Sequence, residues 1–194
     1  KLNREIIKDY TEQYYQHVKA FPRYISATHS ICEDIEKRRI LLENLQDEEN
    51  KDGDHPKLWK NFAKALGADE KEIENVKLDW FTKDMIENFF DQARKSYAEG
   101  LASLYTYERQ IPEIAETKIQ GLKKFYGVNS KEGLEFFEAH KSADVIHRAE
   151  CEKLLDGLSK EEQKKAETAS LLTARYLWNF LSGMTSKHNL KAAA

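Results

Sequence analysis

Residues that interrupt or cross-link a polypeptide are scarce in this sequence. Its 194 residues include three prolines, eight glycines and two cysteines. So few glycines and prolines do not supply the many tight turns of an all-β protein. Cys32 and Cys151 alone make no disulfide framework, and free cysteines are typical of a reducing compartment. These shortages indicate a helical protein with a cytoplasmic location.

Long apolar runs and charge of a single sign are missing as well. No stretch of about 18 consecutive apolar residues is present, so the sequence offers nothing to span a membrane. The 31 basic and 34 acidic side chains are interspersed and leave a net charge of -3. No basic tract of the kind that nucleic-acid-binding proteins carry stands out. We therefore expect neither a membrane nor a nucleic-acid partner.

The sequence is rich in strong helix formers such as Glu, Lys, Leu and Ala. Apolar residues recur at steps of three and four along most of the chain, which is the period of an amphipathic helix. These features predict an all-α fold, a compact bundle of about seven or eight helices. A single domain is expected over 1–191, and the alanines at 192–194 look like a cloning remnant.

Capping residues and chain breakers predict where the helices begin and end. Pro22 is expected to break or kink the chain. Asp54 is suited to cap a helix that stops at Gly67, and Asp69 begins a short one. The predicted helices span about 4–19, 23–49, 55–66, a short segment after Asp69, 82–109, 112–126, 130–155 and 159–183.

Charged side chains interrupt an apolar stripe on the helix predicted after Ser130. His140, Asp144 and His147 follow steps of four and three, so they share one helix face. Apolar residues bound this face on both sides, which turns it towards the core. A lone inward histidine is usually a satisfied core residue, but three ionisable groups on one buried face favour a metal site.

Two carboxylates continue inward stripes on other helices. Glu48 follows the stripe of the second predicted helix, and Glu108 follows that of the helix over 82–109. His55 comes seven residues after Glu48, across a turn that contains Gly53, and we expect this turn to bring it back towards Glu48. Uncompensated buried carboxylates would consume a large share of a domain's net stability of about 5–15 kcal/mol, whereas metal ions neutralise them directly.

The predicted ligands are three imidazoles and three carboxylates, without a thiolate. This mixture of nitrogen and hard oxygen favours iron or manganese, with zinc possible. Six protein ligands exceed what one catalytic ion needs, so two ions about 3.5–4 Å apart are expected to share them. The predicted ligand set is Glu48, His55, Glu108, His140, Asp144 and His147.

One lysine also stands on an inward stripe. Lys118 shares its helix face with Ile111, Ala115 and Leu122. An inward lysine is either a reactive amine or a side chain whose apolar stem is buried while its head reaches water. Tyrosines such as Tyr10 and Tyr107 could line the same interior, although aromatic stripes are more often plain core.

Four segments resemble the CADD-like group, whose name refers to association with death domains, within the TenA/PqqC-like, haem-oxygenase-like superfamily. They are QYYQHVKAFPRY (13–24), LENLQDEEN (42–50), LYTYERQIP (104–112) and HKSADVIH (140–147). The resemblance covers nearly the whole chain, and all six predicted ligand positions are present. It implies a haem-oxygenase-like fold with a dinuclear Fe/Fe or Fe/Mn centre that activates dioxygen with an external reductant.

The resemblance also implies a reaction. In this group, 4-aminobenzoate for folate arises from a tyrosine of the protein itself, and a lysine supplies the amino nitrogen. Lys118 matches that lysine, and Tyr10 and Tyr107 match tyrosines near the centre. The sacrificed tyrosine of the group lies on a helix that precedes the first helix of this sequence. Phe136 replaces another tyrosine that the group carries near the metals.

Other functions stay open at this point. A PqqC-like oxidase in quinone cofactor biosynthesis needs no metal, so the six ligands argue against it. TenA-type hydrolysis needs a cysteine nucleophile, and neither Cys32 nor Cys151 has a matching context. An interaction protein that binds host death domains without catalysis is a third class. A homodimer is compatible with any of them, and a small aromatic substrate could replace the internal tyrosine.

Overall fold

The polypeptide folds into α-helices joined by short turns, as the composition predicts. The computed structural model describes residues 2–51 and 53–190, apart from the side chains of 142–145. Within these ranges it contains nine α-helices and no strand. They are α1 (Arg4–Ser30), α2 (Ile35–Glu48), α3 (His55–Ala65), α4 (Glu70–Asn75), α5 (Trp80–Lys95), α6 (Tyr97–Glu108), α7 (Ile111–Tyr126), α8 (Lys131–Asp156) and α9 (Lys160–Lys187).

Most helix ends carry the capping residues that the sequence predicts. Asp54 accepts a hydrogen bond from a backbone N–H in the first turn of α3, and Ser130 does the same for α8. Asp69 and Ser159 each form a complete capping box, at the starts of α4 and α9. Gly127 ends α7 with a φ of 69°, in the left-handed region that favours glycine. Side-chain chemistry therefore sets these boundaries locally.

The predicted break at Pro22 was wrong, because this proline lies inside α1. A proline in a helix interior removes one backbone hydrogen bond and costs about 3 kcal/mol. Phe21, Tyr24 and Ile25 beside it are all buried in the core. Burial of each such side chain contributes about 1.5–3 kcal/mol, so packing outweighs the local cost. The chain turns instead between α1 and α2, where Asp34 caps the next helix.

The long helix predicted over 82–109 is in fact two helices that meet at Ser96. This residue is extended, with φ -158° and ψ 161°, and serves as C-cap of α5 and N-cap of α6. Its hydroxyl oxygen accepts a 3.2 Å hydrogen bond from the backbone N–H of Glu99. The Ser-x-x-Glu pattern at 96–99 is a capping signal that the continuous apolar periodicity obscured. This division accounts for nine helices where seven or eight were predicted.

The helices pack around α1, which contacts α2, α3, α4, α5 and α6, while α8 covers α3 and α7. The largest fully buried side chains include Trp59, Tyr15, Tyr24 and Phe89. This packing brings the C-terminal ends of α2 and α6, the start of α3 and the middle of α8 into one region. Within the described ranges, no helix has both the length and the apolar character that crossing a bilayer requires.

Candidate metal centre

Three buried side chains of metal-ligand type meet from three helices. Glu48 is the last residue of α2, His55 is the first residue of α3, and His140 lies in the middle of α8. One carboxylate oxygen of Glu48 and one ring nitrogen of each histidine all lie within 4.8 Å of one another. All three residues are buried. The cluster is therefore compact enough to hold a single metal ion.

The turn between α2 and α3 accounts for the meeting of Glu48 and His55. The backbone N–H of Gly53 donates a 3.2 Å hydrogen bond to the carbonyl of Asn50, which closes the turn. Asp54 then caps α3 and fixes its first residue. As a result, the Nδ1 atom of His55 lies 2.8 Å from the Oε2 atom of Glu48.

The contact between Glu48 and His55 does not saturate either group. The Nδ1 atom of His55 has no partner other than Glu48 among the described residues. Burial, the largest influence, lowers the pKa of His55, but the charge and hydrogen bond of Glu48, together with the charges of Asp47 and Asp54, raise it above its ordinary value. A bound cation would take the place of the proton between the two groups.

His140 presents a neutral imidazole to this cluster. Its Nδ1 atom is 2.7 Å from the carbonyl oxygen of Phe136, one helical turn earlier, and must donate to it. The lone pair is therefore on Nε2. Burial, with the His55 imidazole nearby, lowers the pKa of His140 well below its ordinary value. A neutral ring is the form in which histidine binds metal ions.

Glu108 lies next to the cluster but is not one of its three members. Its Oε1 atom accepts a 2.6 Å hydrogen bond from the Nδ2 atom of Asn44, and its Oε2 atom accepts from the Cys151 thiol at 3.6 Å. Burial raises the pKa of Glu108 to about 7, and the charge of Glu48 adds to this rise. A carboxyl held in this way is poised to ionise when a cation approaches.

The remaining two predicted ligands, His147 and Asp144, both belong to α8. His147 is buried, and its Nε2 atom lies 3.1 Å from the Oδ2 atom of Asp47. It is not part of the three-residue cluster. Asp144 belongs to α8, but its side chain lies outside the described residues.

Lys118, Tyr10 and Tyr107 line a cavity of about 550 Å³ whose walls are mostly apolar. The Nζ atom of Lys118 donates a 2.7 Å hydrogen bond to the Tyr10 hydroxyl. Tyr107 forms a hydrogen bond with Tyr14 on the same wall. The Nζ atom also lies 5.0–5.8 Å from the ring centres of Tyr10, Tyr14, Trp59 and Phe137.

Two aromatic residues connect this cavity to the cluster. The ring of Phe136 lies 4.1 Å from that of His140 and 4.8 Å from that of Trp59, between centres. Trp59 in turn packs against Tyr14, at 5.1 Å. The cavity and the candidate metal ligands are thus in continuous van der Waals contact.

Asn44 and Cys151 are the residues of this region that sequence reasoning did not assign a role. Asn44 precedes Glu48 by one helical turn, and Cys151 follows His147 by one turn. Both therefore extend the inward stripes that carry the candidate ligands. This spacing was a usable signal, but the partner that they share, Glu108, is on a third helix.

Comparison with known proteins identifies close relatives in sequence. The family described as iron-containing redox enzyme matches residues 8–178. A 4-aminobenzoate synthase of Chlamydia trachomatis is 41% identical over 182 residues, which cover 93% of this chain and 79% of that protein. A 4-aminobenzoate synthase of Nitrosomonas europaea is 38% identical over 198 residues, which cover 95% of this chain and 80% of that protein.

Solved structures with low sequence identity share the fold. A TenA homologue from Pseudomonas syringae has a TM-score of 0.82 at 17% identity, with 95% of this chain and 81% of that chain covered. A CADD-like protein of unknown function from Nostoc punctiforme has a TM-score of 0.79 at 15% identity, with 95% and 83% covered. A Shewanella denitrificans domain with a heme oxygenase-like fold has a TM-score of 0.73 at 16% identity, with 99% and 84% covered. The predicted haem-oxygenase-like, all-α fold is confirmed.

Proposed function

This chain belongs to the family of iron-containing redox enzymes with a haem-oxygenase-like fold, and from this premise we propose that it acts as a 4-aminobenzoate synthase. Relatives that carry this name are 38% to 41% identical and align over more than nine-tenths of the chain. The observation that carries the proposal is the buried cluster of Glu48, His55 and His140, which gives such a redox enzyme a place for its metal.

The donor atoms of the site fit iron or manganese. Two imidazoles and one carboxylate converge, and the set combines nitrogen with hard oxygen. The buried Nδ1 atom of His55 has Glu48 as its partner among the described residues, and a cation would take the place of the proton between them. We assign Glu108, Asp144 and His147 to complete a set of six ligands for two ions, Fe/Fe or Fe/Mn.

When bound, these ions supply the electron transfer that activates dioxygen, with electrons from an external reductant. The residues of the chain supply the surroundings. Trp59 and Phe136 fill the space between the ligands and the cavity with apolar rings, so this space is a dry and non-polar one. The cavity then receives the tyrosine that becomes the aromatic ring, or a small aromatic substrate in its place.

We assign Lys118 the role of amino donor. Its Nζ atom projects into the cavity wall and donates to the Tyr10 hydroxyl. In the described part of the chain, no carboxylate lies within ion-pair distance of this amine, so no salt bridge competes for it. Tyr10 holds the amine in place, and Tyr107 lines the wall on the side of α6.

The PqqC-like alternative gives the cluster no role, because that chemistry needs no metal. TenA-type hydrolysis would need an accessible thiol. Both cysteines are buried, and Cys151 is hydrogen-bonded to Glu108. The oxygenase is therefore the function that gives a role to the largest number of the described site residues.

Rescue of a bacterial strain that requires 4-aminobenzoate tests the proposal. We expect the wild-type gene to restore growth, and Lys118→Ala to abolish the rescue because the amino donor is lost. Lys123→Ala is the matched control, since this lysine is exposed on the same helix and should rescue fully. Undiminished rescue by Lys118→Ala would remove this residue from the mechanism, and no rescue by the wild type would contradict the function.

A further inference from the structure

Both oxygens of the buried Glu108 carboxylate are engaged by neighbouring side chains that have no assigned role. We propose that Asn44 and Cys151 are positioning residues, which fix the Glu108 carboxylate in the orientation in which it binds a metal ion. The proposal rests on the metal centre proposed above and adds two residues to it. It concerns how a ligand is held, so neither residue is expected to touch the metal or the substrate.

The three residues come from three different helices and are almost completely buried. Asn44 on α2 is 3% exposed, Glu108 at the end of α6 is 1% exposed, and Cys151 on α8 is 2% exposed. The amide Nδ2 atom donates to Oε1 at 2.6 Å, and the thiol donates to Oε2 at 3.6 Å. Rotation of the carboxylate would break both hydrogen bonds, so its plane is fixed from two sides.

The chemistry of Asn44 supports a role towards Glu108 rather than towards the fold in general. Its Oδ1 atom is buried without a hydrogen-bond partner among the described residues. A purely structural asparagine at a buried position is expected to satisfy both ends of its amide. Within the described part of the chain, the hydrogen bond of this side chain runs from Nδ2 to the Glu108 carboxylate.

The positions of both residues along their helices also indicate a role at the metal centre. Asn44 is one turn before Glu48, and Cys151 is one turn after His147. Two of the helices that carry candidate ligands, α2 and α8, therefore also carry the groups that hold Glu108. Partners of metal ligands at such positions typically change metal affinity about 10–100-fold when they are removed.

Cobalt binding to the purified chain tests the proposal, because the visible spectrum of Co²⁺ reports its ligands. We expect about 10–100-fold weaker binding and an altered Co²⁺ spectrum in Asn44→Leu and in Cys151→Ala, as for other partners of metal ligands. Cys151→Ser keeps a hydrogen-bond donor and should restore both the affinity and the spectrum. Cys32→Ala is the control, since this other buried thiol donates to the carbonyl of Asp34 and not to a candidate ligand.

Thermal unfolding of each variant shows whether it has folded. If Asn44→Leu does not fold, the comparison of Cys151→Ala with Cys151→Ser tests the positioning role. Wild-type affinity and an unchanged spectrum in both Asn44→Leu and Cys151→Ala would overturn the positioning role alone. Failure of Cys151→Ser to restore the spectrum would overturn it for Cys151. If the wild-type chain itself binds no Co²⁺, this result would contradict both the metal centre and the proposed function.

Discussion

At the scale of single residues, burial is the largest influence on the ionisable groups of the candidate centre. Burial lowers the pKa of His140 and raises the pKa of Glu108, so it favours the uncharged form of each. Glu48 opposes this trend at His55, where its negative charge favours the protonated imidazole. A bound cation would favour an ionised Glu108 and neutral imidazoles at once, so metal binding should release protons.

A carboxylate far from the centre gives a pH prediction with a definite sign. Glu74 accepts hydrogen bonds from Lys19 at 2.7 Å and from the Tyr15 hydroxyl at 2.9 Å, and it pairs with Lys60. The contact with Lys19, followed by that with Lys60, lowers the pKa of Glu74 from 4.5 to about 2. The ionised form is therefore favoured in the folded chain more than in the unfolded chain.

Its contribution to stability is fully present above pH 4.5 and is lost as the pH falls towards about 2. We expect Glu74→Gln to reduce the decline of the urea midpoint over this interval, while the midpoint of the wild type falls more steeply. Glu33→Gln is a control, since this glutamate is exposed and forms no ion pair with the described residues. Parallel midpoint curves for the wild type and Glu74→Gln would contradict the prediction.

The apolar stripes were sufficient to predict that Glu48 and His140 point inward, and the turn after Glu48 was the reason to expect His55 beside it. The stripes were not sufficient to show which inward groups would meet. Glu108 contacts Asn44 rather than the three-residue cluster, and His147 contacts Asp47. These pairings depend on distances between helices, which no pattern within one helix contains.

At the scale of helices, local chemistry decides boundaries except where packing opposes it. The capping boxes at Asp69 and Ser159 could be recognised from sequence because all of their atoms lie within four residues. The prediction at Pro22 was wrong because burial of the neighbouring side chains Phe21, Tyr24 and Ile25 outweighs the local cost of a proline in the helix. Ser96 was overlooked because apolar residues continue on both sides of it.

Close packing between helices makes one glycine position sensitive. A Cβ atom added at Gly100 in α6 would lie 2.5 Å from the Thr28 hydroxyl oxygen and 3.2 Å from the Cα atom of Ala93. We expect Gly100→Ala to lower the free energy of unfolding by about 1–3 kcal/mol, the usual cost of overpacking. Urea denaturation measures this change.

Gly121 in α7 is the matched control, because no atom of the described residues lies within 4 Å of the position of an added Cβ atom. Gly121→Ala should raise the free energy of unfolding by about 0.5–1 kcal/mol, since alanine is the better helix former. Equal effects of the two substitutions would show that α1, α5 and α6 are not packed as closely as described.

At the scale of the whole molecule, the haem-oxygenase-like fold is shared with proteins of low sequence identity. Neighbours at 15% to 17% identity retain TM-scores of 0.73 to 0.82, so the helical frame does not determine the chemistry. On this fold the chain carries a buried set of donors where α2, α3, α6 and α8 meet, and a cavity that contains Lys118 lies beside it. The proposed reaction requires both parts.

The metal content of the chain purified from iron-replete cells tests the central claim most directly. Elemental analysis should find about two equivalents of iron plus manganese per chain, as expected for two ions that share six ligands. Glu48→Gln should lose most of this metal, whereas Glu49→Gln, its exposed neighbour, should retain it. Less than about one equivalent in the wild type, or full metal content in Glu48→Gln, would contradict the account.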